Sequence, residues 1–445
     1  MKHRRTLTET IRRAGLAAML VTAALSANSA NSPPAGATQR VTVSVPAGLN
    51  SPPFDVVRTL TVPPGFSIRL LARVRGARFM AVAPNGDLLV SSPDNGTIKL
   101  LRLNRGKPLQ EFTLAANLQN PHDMVFHTIA GKTFLYIAES NRIIRAPYAD
   151  DMTILGKPEI IVANLPDASS PELQGRYGHQ LKNIALNGNK LYVSIASTCN
   201  ACVTDTVADP VRGTVYEYDA DGKNRRLFAQ GLRNAEGIRF RPGTSELWVA
   251  VNNRDNIAYP HHKDWDGDGT DDFGKVMPTY VDGHPPDLLT RVRDGGNYGW
   301  PFCNSNPDAG IDNMPFDRDA VLNADGSKLD CSKIDRVTKG MPPHSAPLGM
   351  KFLPDFRGLQ EYRSTLVTAL HGCWNCTSLN GHKVVLYPFN DDGSLGNAVD
   401  LVTGWLTDAK ARQRWGRPVD VISDGKSGMY ISDDTAGAVY WLNKN

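Results

Sequence analysis

Short apolar bursts recur along this chain, and one of them recurs six times. A turn carrying Gly or Ser leads into an apolar, often aromatic run that ends on a small residue. The copies are Asn85-Gly-Asp-Leu-Leu-Val-Ser91, Thr133-Phe-Leu-Tyr-Ile-Ala138, Gly188-Asn-Lys-Leu-Tyr-Val-Ser194, Ser245-Glu-Leu-Trp-Val-Ala250, Ser364-Thr-Leu-Val-Thr-Ala369 and Ser427-Gly-Met-Tyr-Ile-Ser432. Their central positions, Leu89, Tyr136, Tyr192, Trp248, Val367 and Tyr430, follow one another at 47, 56, 56, 119 and 63 residues. Most copies follow a second apolar strand, such as Ile184-Ala-Leu186 or Val419-Asp-Val421. Several short strands per unit, repeated at this period, predict a β-propeller. Each blade is a small sheet that cannot bury both faces alone, and packing blades around an axis solves that.

Six copies predict an all-β, six-bladed propeller over residues 56–445. The long gap predicts an insertion at about 255–345, between the fourth and fifth copies; a degenerate seventh blade is the other reading. The segment Gly437-Ala-Val-Tyr-Trp-Leu442 is expected to complete a blade with N-terminal strands.

Charge changes the picture at the N-terminus. The chain of 445 residues carries a formal charge of +4, with 49 basic and 45 acidic side chains. Residues 1–30 hold Lys2, Arg4, Arg5, Arg12 and Arg13 against Glu9, so the remainder balances to zero. A basic face for nucleic acid is therefore not expected. The basic start, the apolar run Ala14–Leu25 and the small residues Ser26–Ala30 form a secretory signal pattern. A retained anchor is the other reading, but the run is short for a bilayer span. Residues 31–55, rich in Ser, Pro, Ala and Asn, are expected to be a disordered lead-in. The expected location is periplasmic or secreted, with no membrane span in the mature chain.

Export gives meaning to the six cysteines. Cys199-x-x-Cys202, Cys303 with Cys331, and Cys373-x-x-Cys376 are expected to pair locally as three disulfides. Zinc-ribbon spacing is absent, and Val203 and Thr377 stand where haem attachment needs His.

Residues entering each first strand share an offset from the matched position. His122 lies 14 before Tyr136, His179 lies 13 before Tyr192, Asn234 lies 14 before Trp248 beside Arg233, and Arg417 lies 13 before Tyr430. Equal offsets on successive blades predict one shared channel mouth, to which His344 and His371 also belong. Two arginines with His and Asn suit an anionic ligand bearing carboxylates, and a His among them can act as a general base. Individually, each could instead bond backbone at a strand end.

Several of these stretches resemble a known family. Gly178-His-Gln180, Gly231-Leu-Arg-Asn-Ala-Glu-Gly237, Gly295-Gly-Asn-Tyr-Gly-Trp-Pro301, His344-Ser-Ala-Pro-Leu-Gly349, Leu370-His-Gly-Cys-Trp-Asn375 and Trp415-Gly-Arg-Pro-Val419 resemble the glucose/sorbosone dehydrogenases, over residues 60–445. The resemblance implies a six-bladed quinoprotein using pyrroloquinoline quinone (PQQ). It implies His179 as the base that removes a sugar hydroxyl proton, and Arg233, Asn234, His371 and Arg417 as cofactor contacts. It also implies a calcium ion on backbone carbonyls, placed at Asn253 and Arg254. The chain departs from the glucose-oxidising pattern at His371, Trp415 and Glu236, where that pattern has Lys, Arg and Gln.

A second calcium signal does not depend on the family. Asp264, Asp266, Asp268 and Asp272 stand at positions 1, 3, 5 and 9 of an EF-hand-like loop with Gly269 at 6, but Lys275 takes position 12 in place of Glu. A solvated acidic turn is the alternative. Three functions therefore stand: a quinoprotein oxidising an aldose or hydroxy-aldehyde towards an unknown electron acceptor, a metal-dependent lactonase-type propeller, and a non-catalytic binding propeller.

Overall fold

The six matched positions all lie in the second strand of a sheet, flanked by an antiparallel strand on either side. In the computed structural model, which describes residues 38–103, 108–353 and 362–445, these sheets are the six blades of a propeller. The expected signal segment, residues 1–30, and the start of the lead-in lie outside the described residues.

Blade one runs from Met80 to Ala115, blade two from Met124 to Val162 and blade three from Asn183 to Gln230. Blade four begins at Asn234 and ends at Met341, and blade five spans Pro347–Val402. Blade six takes its inner three strands from Pro418–Lys444 and its outer strand, Phe66–Arg73, from the other end of the chain. That pairing closes the ring, as the apolar pattern of residues 437–442 predicts. The innermost strands touch their neighbours all the way round: Met80–Val82, Met124–Ile129, Asn183–Asn187, Asn234–Phe240, Pro347–Phe352 and Pro418–Ser423. Between blades, apolar faces are buried in separate clusters, for example Tyr136 against Val193 and Tyr216. Burial of each such large side chain contributes about 1.5–3 kcal/mol.

Two buried ion pairs join inner-strand residues. Arg239 Nη2 donates to Asp123 at 2.7 Å, and Lys351 Nζ donates to Asp420 at 2.9 Å. Each of these two carboxylates also accepts a backbone N–H from the next blade's inner strand, Ile184 and Met80 respectively. The carboxylates thus stitch blade two to blade three and blade six to blade one.

The sequence-based expectations need two corrections. Residues 38–55 are ordered: Gln39–Thr42 pairs with Thr59–Val62, and Phe54 is buried against Trp415 and Tyr440. The Ser-Pro-rich composition hid two anchoring hydrophobes, Val43 and Phe54, and Arg73, which donates to the Ser51 and Pro52 carbonyls. The region 255–345 is also more than loop. It holds the third and fourth strands of blade four, Asp287–Val292 and Val337–Met341. It also supplies Gly296–Asn297, which pairs in parallel with the outer strand of blade three. Irregular chain before and after Asp287–Val292 accounts for the long gap. The three disulfides are Cys199–Cys202, Cys303–Cys331 and Cys373–Cys376. No helix among the described residues is long and apolar enough to cross a membrane.

Candidate active site

At one end of the propeller, the residues entering the inner strands meet the residues leaving the second strands. His179 and Arg233 precede inner strands of blades three and four; Ser197, Asn253 and His371 follow second strands of blades three, four and five. The sheets set these positions, because an inner strand starts beside the point where its antiparallel neighbour ends.

His179 has a ring whose tautomer its contacts define. Its Nδ1 lies 3.0 Å from the Ser197 carbonyl oxygen. A carbonyl only accepts, so Nδ1 carries the proton and Nε2 carries the lone pair. Nε2 has no protein partner among the described residues. Burial and the nearby Arg233 cation lower the pKa to about 4, so the ring is neutral near pH 7.

Arg233 is buried, and all its donors are engaged by protein. Nε donates to the Asn200 carbonyl at 3.2 Å. Nη1 donates to the Asn253 and Asn252 carbonyls at 2.6 and 3.3 Å. Nη2 donates to Asn200 Oδ1 at 3.1 Å and Asp255 at 2.9 Å. A guanidinium has five N–H groups, so none is left for a ligand carboxylate. Arg233 therefore contributes its charge field and holds the loop leaving blade four.

Arg417 differs. Nε and Nη2 donate to the carbonyls of His371 and Gly372 at 2.9 and 2.8 Å, while Nη1 has no protein acceptor among the described residues. Burial lowers its pKa to about 10, so it stays cationic with an open donor edge. His371 donates from Nε2 to Asp434 at 2.9 Å, and Arg78 pairs with the same carboxylate at 2.9 Å. His371 is thus tied sideways, with burial lowering its pKa to about 4.

Asn234 donates from Nδ2 to Glu236 Oε1 at 3.3 Å, and Asn183 Nδ2 donates to the other carboxylate oxygen at 3.2 Å. A carboxylate only accepts, so both amides turn their carbonyl oxygens away from Glu236. His122 is fully buried, with Nε2 3.8 Å from Glu236. Its Nδ1, Asn183 Oδ1 and Arg78 Nε are buried without a protein hydrogen-bond partner. Orphaned polar atoms grouped near the mouth are a place for a polar ligand or water. His344 donates from Nε2 to the Val281 carbonyl at 2.7 Å. Burial opposes its charge, but Asp255 and Asp287 raise its pKa overall.

Trp415 does not face the mouth. It is buried, donates to the Gly404 carbonyl and packs on Phe54 and Trp405. Its place in the core removes one cation that the glucose-oxidising pattern would supply.

The metal expectations divide. The Asn253 carbonyl accepts from the Arg233 guanidinium at 2.6 Å, and the buried Arg254 side chain is paired with Asp319. Asp264, Asp266 and Asp268 do converge, with carboxylate oxygens within 4.8 Å of one another on an exposed turn. They form the one group of three or more metal-ligating side chains among the described residues. Asp272 is not part of it: this buried side chain accepts the Trp265 N–H and pairs with Lys275.

A model of the TrAA12-like family matches residues 60–445, which takes in all six blades. The chain belongs to the TrAA12-like family. It is 23% identical over 403 residues to an uncharacterized protein of Borreliella burgdorferi, covering 87% of this chain and 91% of that one. It is 35% identical over 189 residues to the pyrroloquinoline quinone-dependent pyranose dehydrogenase of Coprinopsis cinerea, covering 39% of this chain and 23% of that enzyme. The chain thus matches under a quarter of that enzyme's length. Among solved structures, the holo PQQ domain of the Coprinopsis cinerea pyranose dehydrogenase superposes with a TM-score of 0.68 at 19% identity, covering 90% of this chain and all of that one. The calcium structure of the Trichoderma reesei family AA12 enzyme gives 0.66 at 19%, covering 86% and 96%. These likenesses establish the TrAA12-like propeller.

The sequence-based set is gathered at this mouth, except that the Asp264–Asp272 turn forms a separate feature. Ser197, Asn200, Asp255, Arg78 and Asp434 were missed. Two had a signal: Asn200 lies inside a Cys-x-x-Cys, and Asp434 directly follows a matched strand. The others carry no motif.

The residues present fit PQQ at three points: a neutral base with an outward lone pair, an open guanidinium edge, and amide carbonyls free to accept. The fit rests on Arg417, because Arg233 has no donor to offer.

Proposed function

We propose that this TrAA12-like chain is an oxidoreductase that oxidises a sugar or related hydroxy-aldehyde with PQQ as cofactor. The observation that carries the reading is His179: a half-buried, neutral imidazole whose Ser197 contact leaves Nε2 open near the Arg233 cation. The similarity to a PQQ-dependent pyranose dehydrogenase supports it.

PQQ, when bound, supplies a quinone able to accept the hydride that leaves the substrate carbon. The protein's own part is proton and position. His179 takes the hydroxyl proton at Nε2, and Ser197 holds the ring so that this nitrogen faces the substrate. Arg417 binds a cofactor carboxylate through its open edge. Asn234 accepts a hydrogen bond through Oδ1, since Glu236 holds its Nδ2, and the charge of Arg233 favours an anionic ligand. Calcium belongs to the reading as a second cofactor, with Asp264, Asp266 and Asp268 as its side-chain ligands. The site of action is the periplasm or the exterior, in keeping with the signal pattern and three disulfides.

The deciding experiment adds PQQ and Ca²⁺ to purified protein, records the bound-quinone spectrum and follows dye reduction across a sugar panel. A spectral shift with sugar-dependent reduction is expected, and His179→Ala should retain PQQ while losing turnover. No shift and no reduction would overturn the reading.

A further inference from the structure

The turn that leaves the second strand of blade three, Ser197–Cys202, touches more of the site than any of the residues assigned above. Ser197 fixes the His179 tautomer, and its N–H donates to the Arg233 carbonyl at 2.8 Å. Thr198 anchors the turn from below: its N–H and hydroxyl donate to buried Asp205 at 2.7 and 2.8 Å, and Arg212 pairs with Asp205 at 3.2 Å. The Cys199–Cys202 disulfide then closes the turn around Asn200.

Asn200 reaches across to blade four. Its backbone carbonyl accepts from Arg233 Nε at 3.2 Å and from Trp300 Nε1 at 2.9 Å. Its Oδ1 accepts from Arg233 Nη2 at 3.1 Å and the Asp255 N–H at 2.8 Å, while Nδ2 donates to the Asp255 carbonyl at 2.7 Å. Both ends of the amide are matched to backbone of known polarity, so its orientation follows from the chemistry of its partners. Asn200 therefore binds a cation and an adjacent loop at once. Arg233, Glu236 and Asp255 are the charged groups facing His179, and Asn200 holds two of these three.

We propose that Asn200, carried on the Cys199–Cys202 turn, is the positioning residue of this site: it fixes the Arg233 guanidinium and the Asp255 backbone, and with them the electrostatic surroundings of His179. Asn200 touches no reacting atom. It acts through Arg233, which explains why that arginine offers no donor to a ligand. The idea rests on the proposed function only where cofactor affinity is concerned, since the arrangement exists in the protein alone.

The test uses apo-protein with isotope-labelled histidine, in three forms: wild type, Asn200→Ala, and Cys199→Ser with Cys202→Ser. Asn200→Ala removes three side-chain bonds and keeps the backbone ones; the double serine variant keeps the amide and frees its tether. The His179 ring titration is read by NMR, assigned by its loss in His179→Gln, and PQQ affinity is read by fluorescence quenching. In Asn200→Ala the His179 midpoint should move upward, because Arg233 is released and water enters. PQQ affinity should fall about tenfold, equivalent to about 1.4 kcal/mol. The double serine variant should move both readouts the same way by less. A role confined to stability would lower the unfolding temperature and leave the His179 midpoint in place, and that result overturns the proposal. If Asn200→Ala does not fold, the double serine variant decides alone. If no form binds PQQ, including wild type, the functional reading fails, while the titration still decides the role of Asn200.

Discussion

The Nδ1 atom of His179 lies 3.0 Å from the Ser197 carbonyl oxygen, and that contact turns Nε2 into an outward-facing lone pair. Burial and the Arg233 cation hold the ring neutral down to about pH 4. The acid limb of kcat/KM should therefore lie near pH 4, well below the ordinary histidine midpoint. Below that limb the rate should fall about tenfold per pH unit as Nε2 becomes protonated. A pH profile of sugar-dependent dye reduction, taken where the fold is intact by circular dichroism, checks this. An acid limb near 6.5 would mean that His179 is solvated in the working enzyme, or that another group is the base.

Arg417 and Arg233 should fail in different ways. Arg417 keeps Nη1 open, so Arg417→Gln should weaken PQQ binding by roughly 10- to 100-fold, the loss of about 1.5–3 kcal/mol from a hydrogen bond to a charged group. Its cost to stability should be smaller than that of Arg233→Gln, since two backbone carbonyls but no carboxylate lose their partner. Arg233→Gln leaves Asp255 and three backbone carbonyls without their buried cation, so it should cost about 3–5 kcal/mol of stability. Titrating PQQ into each variant beside a denaturant melt separates the two. Equal PQQ losses with equal stabilities would contradict the distinction drawn from their hydrogen bonds.

The blade count was legible because Leu89, Tyr136, Tyr192, Trp248, Val367 and Tyr430 each sit where a turn meets a doubly paired strand. Burial on both faces imposes the same apolar run in every blade, so periodicity survives. The outer strands of blade four escaped because Asp312–Met314 is mostly exposed, while Val337–Met341, though largely buried, carries Thr338, Lys339 and Gly340 in place of an apolar run. Equal offsets gathered His179, Arg233 and Arg417 at one mouth, since an offset is a position in a repeat. Offsets say nothing of what a side chain bonds. The engagement of Arg233 depends on Asn200, 33 residues earlier in the chain, and on Asp255, 22 later. Trp415 reads as a missing cation in one dimension; in three it is part of the core beside Phe54.

The channel pair Lys351–Asp420 gives a stability prediction independent of function. Lys351 Nζ lies 2.9 and 3.0 Å from the two Asp420 oxygens, and Asp420 also accepts the Met80 N–H. Lys351→Met strands a buried carboxylate between blades five, six and one, and should cost about 3–5 kcal/mol. Adding Asp420→Asn keeps an acceptor for Met80 while removing the charge, so the double variant should recover most of the loss. Urea melts of the four proteins in this cycle give the coupling energy directly. Additive losses would mean that the two side chains do not act as a pair.

Gly372 ties the rim to a steric requirement. Its φ of +99° lies where L side chains are strained, and a Cβ there would come within 2.0 Å of the His382 ring. The same residue's carbonyl accepts from Arg417 Nη2 at 2.8 Å. Gly372→Ala must therefore push away either the His382 ring or its own backbone, and the second movement drags Arg417 with it. The strained φ alone costs about 1–2 kcal/mol, and the clash adds to it. PQQ affinity should fall together with stability. His382→Ala on the same background opens space for the new methyl, so it should restore PQQ affinity more fully than it restores stability, because the strained φ remains. Equal recovery of both, or of neither, would show that His382 is not what confines this position.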